Sequence, residues 1–343
     1  MSGKILWALT KSEDIEKCFK QNCEDCSSYH YLHQWADESF EDFTKRASSI
    51  LANKIHETSD VIKNYKNNGM NGMLPKFPKH DKFYKVDTTA FESLSEKLAS
   101  ILLSCSNLDP TSYILYELVP LIIDGEFKIG CVSSNFKKQY PYEQILFYLQ
   151  SQSASGGTFG SSKIFTAFRS TESLDGKFEL LTDIIAIKTM IKRSEIEHKI
   201  LAMMAFDLLI LNRDRHFGNL IILDDLKEKV NPIPLFDYGN SIIGGINSPK
   251  IRKNFFPKAQ SFEDVYQTVI NQRDRMFNIP FHLLGKFTQS QKFYLYFDHE
   301  KLITELEKFK NKQYLYHPSE VEISINFLKF CLQKTEDALW KKM

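Results

Sequence analysis

The sequence predicts an α+β protein, and three observations carry that prediction. Residues 67–135 alternate turn signals with short β-rich runs around one amphipathic helical stretch. From Phe178 onward, apolar residues recur at helical spacing for most of the chain. Around 211–239 that pattern is broken by a polar loop and two short apolar runs, LIIL and IPLF, which read as a strand hairpin. The expected order is an N-terminal helical extension (1–64), a small β-rich part (65–150) and a larger, mostly helical part (151–343).

Each element has a local reason. In the first 64 residues, Phe43, Ala47, Ile50, Leu51 and Ile55 fall at helical spacing. Ahead of them lie Cys18, Cys23, Cys26, His30 and His33, residue types that ligate zinc. One CxxC is half of a usual zinc site, so a metal site and an ordinary polar helix surface both stay open. Gly69 and Gly72 mark a loop, and DKFYKV reads as a strand. TAFESLSEKLASILL reads as a helix with Phe91, Leu94, Leu98, Ile101 and Leu102 on one face. Thr89-x-x-Glu92 at its start also fits a capping box. YILYELV and FKIGCVSSNF read as further strands. SQSASGGTFGSSKIF is a Ser/Gly-rich break; its lysine does not directly follow the second glycine, and no helix is expected behind it, so it is not a phosphate-cradling loop of the GKS/T kind. FELLTDIIAIKTMI, IEHKILAMMAFDLLIL, DVYQTVINQRDRMF and EISINFLKFCLQKTEDALW read as helices, the second nearly all buried.

The interruption at 211–239 carries the chemistry. Asp214 and Asn219 lie five apart in DRHFGN, and Asp237 follows in FDYG. Phosphoryl transfer from ATP needs an aspartate to accept the proton of the attacking hydroxyl, and further oxygen ligands to hold magnesium. Magnesium keeps several waters, so Asn219, Asp237 and the phosphates of ATP would suffice. His216 would orient Asp214 or support transition-state charge, or simply bond a backbone carbonyl. A loop, a strand and a helix, in that order, would supply a lysine for the ATP phosphates and a carboxylate to hold it. Lys85 on the strand is the best placed of Lys76, Lys79, Lys82 and Lys85. Glu92 and Glu96, four apart, are the two candidate carboxylates; Glu92 lies at the edge of the apolar face and Glu96 points further out.

DRHFGN followed by FDYG resembles the catalytic and metal-binding segments of HipA-like kinases, a bacterial branch of the protein-kinase-like fold. FYKVDTTAFESLSEKLA is similar to the stretch of those proteins that places its glutamate at Glu92. The resemblance covers roughly residues 66–340 and leaves the first 64 unexplained. It implies a two-lobed fold, ATP and Mg2+ as co-reactants, Asp214 and His216 as catalytic residues, and Asn219 and Asp237 as metal ligands. It also implies nucleotide contacts from Lys85, Glu92, Gly69 and Gly72. The implied activity is that of a serine/threonine protein kinase acting as a toxin or effector, with a protein substrate and an antitoxin or other regulatory partner. No Ser or Thr lies between Gly69 and Lys76, so the loop-serine phosphorylation that switches off some HipA-like kinases is not expected. Phosphatidylinositol 3- and 4-kinases share the DRHxxN string, which leaves a lipid or small-molecule alcohol open as acceptor. A nucleotide-binding pseudokinase acting through partner contacts is a further alternative.

Composition excludes other classes. A net charge of +1 gives no reason to expect non-specific nucleic-acid or membrane adhesion. The longest apolar stretches are short and carry Glu117 or Asp207, so no membrane span is expected. Six cysteines in 343 residues do not make a disulfide framework, and a cytoplasmic location is the expectation.

Overall fold

In a computed structural model, the structure describes residues 76–79, 81–87, 91–123, 126–135, 142–144, 163–223, 234–242, 261–293, 295–313, 315–316 and 318–339. Four strands, β1 (Lys76–Lys79), β2 (Lys82–Val86), β3 (Glu117–Ile123) and β4 (Glu126–Ser134), form an antiparallel sheet in the order β1-β2-β4-β3. The β1–β2 hairpin pairs Lys76 with Lys85 and Lys79 with Lys82, and stacks the Phe77 and Tyr84 rings at 5.1 Å. Gly130 of β4 is there for space: a Cβ would stand 2.5 Å from the Lys85 carbonyl oxygen and 2.4 Å from Leu121 Cδ1. Its absence lets β4 close on the strand that carries Lys85.

Helix α1 (Glu92–Ser104) crosses from the sheet to the rest of the molecule. It packs on β3 and β4 and, away from the sheet, against α7 (His299–Lys312). Phe91, Leu94, Leu98, Ile101 and Leu102 are all buried, as the spacing predicts. The helix is covered on more sides than its apolar stripe indicates: Glu92, Ser93, Ser95, Glu96 and Ser100 are buried too. Its N-cap is Phe91, at φ 59°, with no side-chain cap hydrogen bond; Thr89 of the expected capping box lies outside the described residues. The Ser93 N–H donates instead to Asp87 Oδ1 at 2.8 Å, which satisfies one of the donors a helix start leaves open.

The remaining described elements are α2 (Lys163–Ser170), α3 (Leu174–Thr189), α4 (Arg193–Leu209), α5 (Phe262–Ile270), α6 (Phe281–Ser290) and α8 (Pro318–Leu339), with short strands β5 (Tyr142–Gln144) and β6 (Ile221–Leu223). α4 is central, packed by α3, α6 and α8, and is buried along most of its length. Three expectations are corrected. Among the described residues LIIL does not pair with IPLF: β6 pairs with β5, and Leu235 bridges Tyr113. Each run finds its partner far away in sequence. A helix does follow the Ser/Gly-rich break, with Lys163 as its first residue. The helix expected over DVYQTVINQRDRMF ends at Ile270; beyond it Asp274 accepts the N–H groups of Met276, Phe277 and Ile279 and holds a turn. No described helix is long and apolar enough to cross a membrane. Gly69, Gly72, Cys18, Cys23, Cys26, His30 and His33 lie outside the described residues.

Candidate active site

Asp207 builds the site's floor. It is a charged residue in the otherwise apolar end of α4, and it is buried. Its carboxylate accepts Arg215 Nε at 2.7 Å and a second guanidinium nitrogen at 2.9 Å, and also the Asn212 amide at 2.8 Å. The third guanidinium nitrogen donates to the Phe236 carbonyl at 2.7 Å. One buried arginine therefore ties the loop 212–219 to α4 below it and to the segment leading into Asp237. Burial weakens Arg215's hold on its proton, and the Asp207 carboxylate more than reverses this, so its pKa lies above the usual arginine value.

On that floor the loop residues are fixed at short range. The Asn219 amide nitrogen donates to the Asp214 carbonyl at 3.2 Å, which leaves its carbonyl oxygen as the hard donor end. Asp214 Oδ2 accepts the Asn240 amide at 2.8 Å, and Oδ1 pairs with Arg275. His216 Nδ1 accepts the Gly218 N–H at 3.0 Å, which puts the proton of the neutral ring on Nε2. Burial, followed by opposing effects from Asp214 and Arg275, holds the His216 pKa below the ordinary value, so the ring is neutral at pH 7.

Lys85 joins the sheet to this loop system. Its Nζ donates to Glu96 Oε1 at 2.5 Å and to Asp237 Oδ1 at 2.6 Å, and lies 4.6 Å from the centre of the Tyr116 ring. Glu96 Oε2 accepts the Tyr238 N–H at 2.9 Å, closing a circuit of β2, α1 and the FDYG turn. Lys76 stands 3.7 Å from the other Asp237 oxygen. Burial alone would raise the Asp237 pKa; Lys85 and Lys76 outweigh it and hold the carboxyl well below its usual range. Burial likewise works against the charge on Lys85, and Asp237 and Glu96 outweigh it, raising its pKa well above normal. Glu96 is raised by its own burial, with Lys85 opposing. Asp237 sits at φ 65°, in the left-handed region that a non-glycine residue occupies only when its surroundings hold it there.

The carboxylate on Lys85 is thus Glu96, and the expectation of Glu92 is corrected. Glu92 lies one helical turn earlier, at the first residue of α1, where its charge acts on Asp87. Asp87 is raised to about 7, by burial first and then by Glu92, against hydrogen bonds from Ser93 and Tyr316. Of the residues expected at the site, Lys85 and Asp237 are in direct contact, Asn219 bonds the backbone of Asp214, and Asn240 links Asp214 to the FDYG turn. Glu96, Asn240, Arg275 and Lys76 complete the arrangement. Of these, the sequence points to Glu96 and Lys76 alone, as rivals of Glu92 and Lys85.

The donor set suits magnesium–ATP: Asp237 and Asn219 offer hard oxygens, and Lys85 and Lys76 offer cations for phosphates. Among the described residues no cluster of three or more His, Cys, Asp or Glu could hold a metal ion; an ion here would take part of its coordination from the nucleotide.

A small antiparallel sheet, a helix whose glutamate pairs with a strand lysine, and a mostly helical remainder make a kinase-like fold. Among solved structures, the Helicobacter pylori proinflammatory kinase CtkA matches with a TM-score of 0.50 at 13% identity, covering 81% of this chain and 91% of that chain. HipA of Shewanella oneidensis, solved with HipB and operator DNA, matches with a TM-score of 0.36 at 12% identity, covering 84% of this chain and 70% of that one. No family model and no curated protein sequence matches the chain. At this identity the likeness to CtkA is one of fold.

Proposed function

We propose that the protein is a kinase-type phosphotransferase that moves the γ-phosphoryl group of ATP to a hydroxyl, with a protein serine or threonine as acceptor. The observation that carries this reading is the circuit Glu96–Lys85–Asp237, set beside a loop that holds Asp214 and Asn219. Lys85 would bind ATP phosphate oxygens, positioned by Glu96. Asp214 would take the proton of the acceptor hydroxyl. Asn219 and Asp237 would hold magnesium, which when bound neutralises phosphate charge and orients the γ-phosphoryl group. His216, neutral with its proton on Nε2, would donate a hydrogen bond toward the reacting oxygens. Catalysis by such a site rests on positioning and charge, with no covalent step on the protein. The division into two lobes after an N-terminal extension, a toxin or effector role and a regulatory partner belong to the same proposal, supported by the sequence resemblance.

The test is incubation of the purified full chain with γ-labelled ATP and magnesium, alone and with cell lysate, beside Asp214→Asn. Label on the protein or on a lysate band, absent with Asp214→Asn, is the expected result. Nucleotide binding without transfer to protein would move the reading to a non-protein alcohol or a pseudokinase. Absence of nucleotide binding would overturn it.

A further inference from the structure

Asp214 is closed at both carboxylate oxygens, one by Asn240 and the other by Arg275. The two differ in kind. Asn240 comes from the FDYG turn itself. Arg275 comes from the segment between α5 and α6, and its side chain is 63% exposed. The base of that segment is fixed: Arg213 donates to Gln272 Oε1 at 2.8 Å, and Lys177 donates to the Phe277 carbonyl at 2.7 Å. Three N–H bonds to Asp274 fix the turn around Arg275. A fixed base therefore presents a solvent-exposed guanidinium at the solvent side of Asp214. An exposed guanidinium–carboxylate pair of this kind stabilises little, so it opens at little cost. A guanidinium also matches phosphate oxygens two at a time.

Building on the phosphotransferase reading, we propose that Arg275 is a phosphoryl-binding catalytic residue, which leaves Asp214 to bind the γ-phosphoryl group during transfer. One movement would then do two things: uncover the carboxylate that receives the proton and bring positive charge to the equatorial oxygens. In that step the acceptor oxygen forms the new bond to phosphorus. The bond from the γ-phosphorus to the β–γ bridging oxygen breaks, with its electron pair leaving on ADP. The hydroxyl proton passes to the Asp214 oxygen that Arg275 vacated. A fixed plug over Asp214 is the competing role for the same contact, and it predicts the opposite sign on removal.

Arg275→Ala and Arg275→Lys, compared with wild type and Asp214→Asn, separate the two. Label transfer gives kcat and KM, and calorimetry gives affinities for ADP and for β,γ-imido-ATP. A phosphoryl-binding Arg275 predicts that Arg275→Ala lowers kcat by about 10²–10³ while leaving ADP affinity unchanged. It also predicts that the preference for the triphosphate analogue over ADP shrinks, that Arg275→Lys keeps part of the rate, and that added guanidinium restores part of the alanine variant's rate. Wild-type or higher kcat in Arg275→Ala, with the triphosphate preference intact, would overturn the proposal and leave the phosphotransferase reading standing. If nucleotide binds but nothing is transferred, the transfer reading fails, and the triphosphate preference still decides Arg275. A protein that binds neither nucleotide takes both down.

Discussion

Two Arg–Asp pairs hold the loop 212–219, one of them through the candidate base Asp214 itself, and their surroundings differ. Arg215 and Asp207 are each 4% exposed, bidentate, and extended by the Phe236 carbonyl and the Asn212 amide. Arg275 is 63% exposed, and its partner Asp214 27%. The chemical groups are the same. Around Arg215 no water can replace a lost partner, so the pair acts as a fixed joint of the loop; around Arg275 water competes, so the pair is exchangeable.

The largest expected effect tests that contrast directly. Arg215→Ala leaves Asp207 buried without its main counter-charge and should lower unfolding free energy by about 3–5 kcal/mol. Arg215→Lys should recover little, since one ammonium cannot reach two carboxylate oxygens and a carbonyl in that geometry. Arg275→Ala should change stability by no more than about 1 kcal/mol. Urea denaturation of the three variants measures all of this. Equal losses at Arg215 and Arg275 would erase the distinction drawn from burial.

The two pairs also mark what the sequence could convey. Asp214, Asn219 and Asp237 can be proposed from their spacing within one loop and its neighbouring segment, and Lys85 from its place on a short strand ahead of a helix; the structure adds the Lys85–Asp237 contact and the bond from Asn219 to the Asp214 carbonyl. Glu96 was misjudged because a helical wheel ranks faces by apolarity. α1 is covered on more sides than its stripe suggests, and its buried polar side meets Lys85 and the FDYG turn. Asp207 in MMAFDLLIL was a missed signal: a charge inside a buried run requires a partner, and Arg215 lies eight residues on. Arg275 and Asn240 had no such signal. Their roles arise only when separate segments are folded against Asp214, and the pairing of β6 with β5 was hidden for the same reason.

A second prediction places a carboxylate between the two extremes. Asp87 accepts hydrogen bonds from the Ser93 N–H at 2.8 Å, the Ser93 hydroxyl at 2.5 Å and the Tyr316 hydroxyl at 2.6 Å, yet faces Glu92 in place of a cation. Its pKa rises from 3.8 to about 7 because burial and Glu92 prevail over those bonds. The folded state then holds a proton that the unfolded state has released, so stability falls as pH rises from about 4 to 7 and is flat above. Asp87→Asn removes that loss. The stability of the variant relative to wild type should therefore grow across this interval, read as midpoints of urea denaturation at pH 4.5, 6 and 8. A difference that stays constant with pH would mean that Asp87 is ionised throughout.

The smallest effect concerns a polar group enclosed with no partner among the described residues. The Tyr238 hydroxyl is buried and makes no hydrogen bond to any of them, while its ring meets Tyr116 at 6.1 Å and Phe206 at 5.6 Å, both edge to face. An enclosed hydroxyl without a partner costs about 1–3 kcal/mol. Tyr238→Phe keeps both ring contacts and the backbone N–H bond to Glu96, and removes only the orphaned oxygen. The variant should gain about 1 kcal/mol, part of the relief being offset by the small void that the oxygen leaves. Because the Glu96–Lys85–Asp237 circuit uses the Tyr238 backbone and not its hydroxyl, nucleotide affinity should not change. A loss of stability would show that the hydroxyl is satisfied by an enclosed water, and would move Tyr238 to the paired side of the comparison.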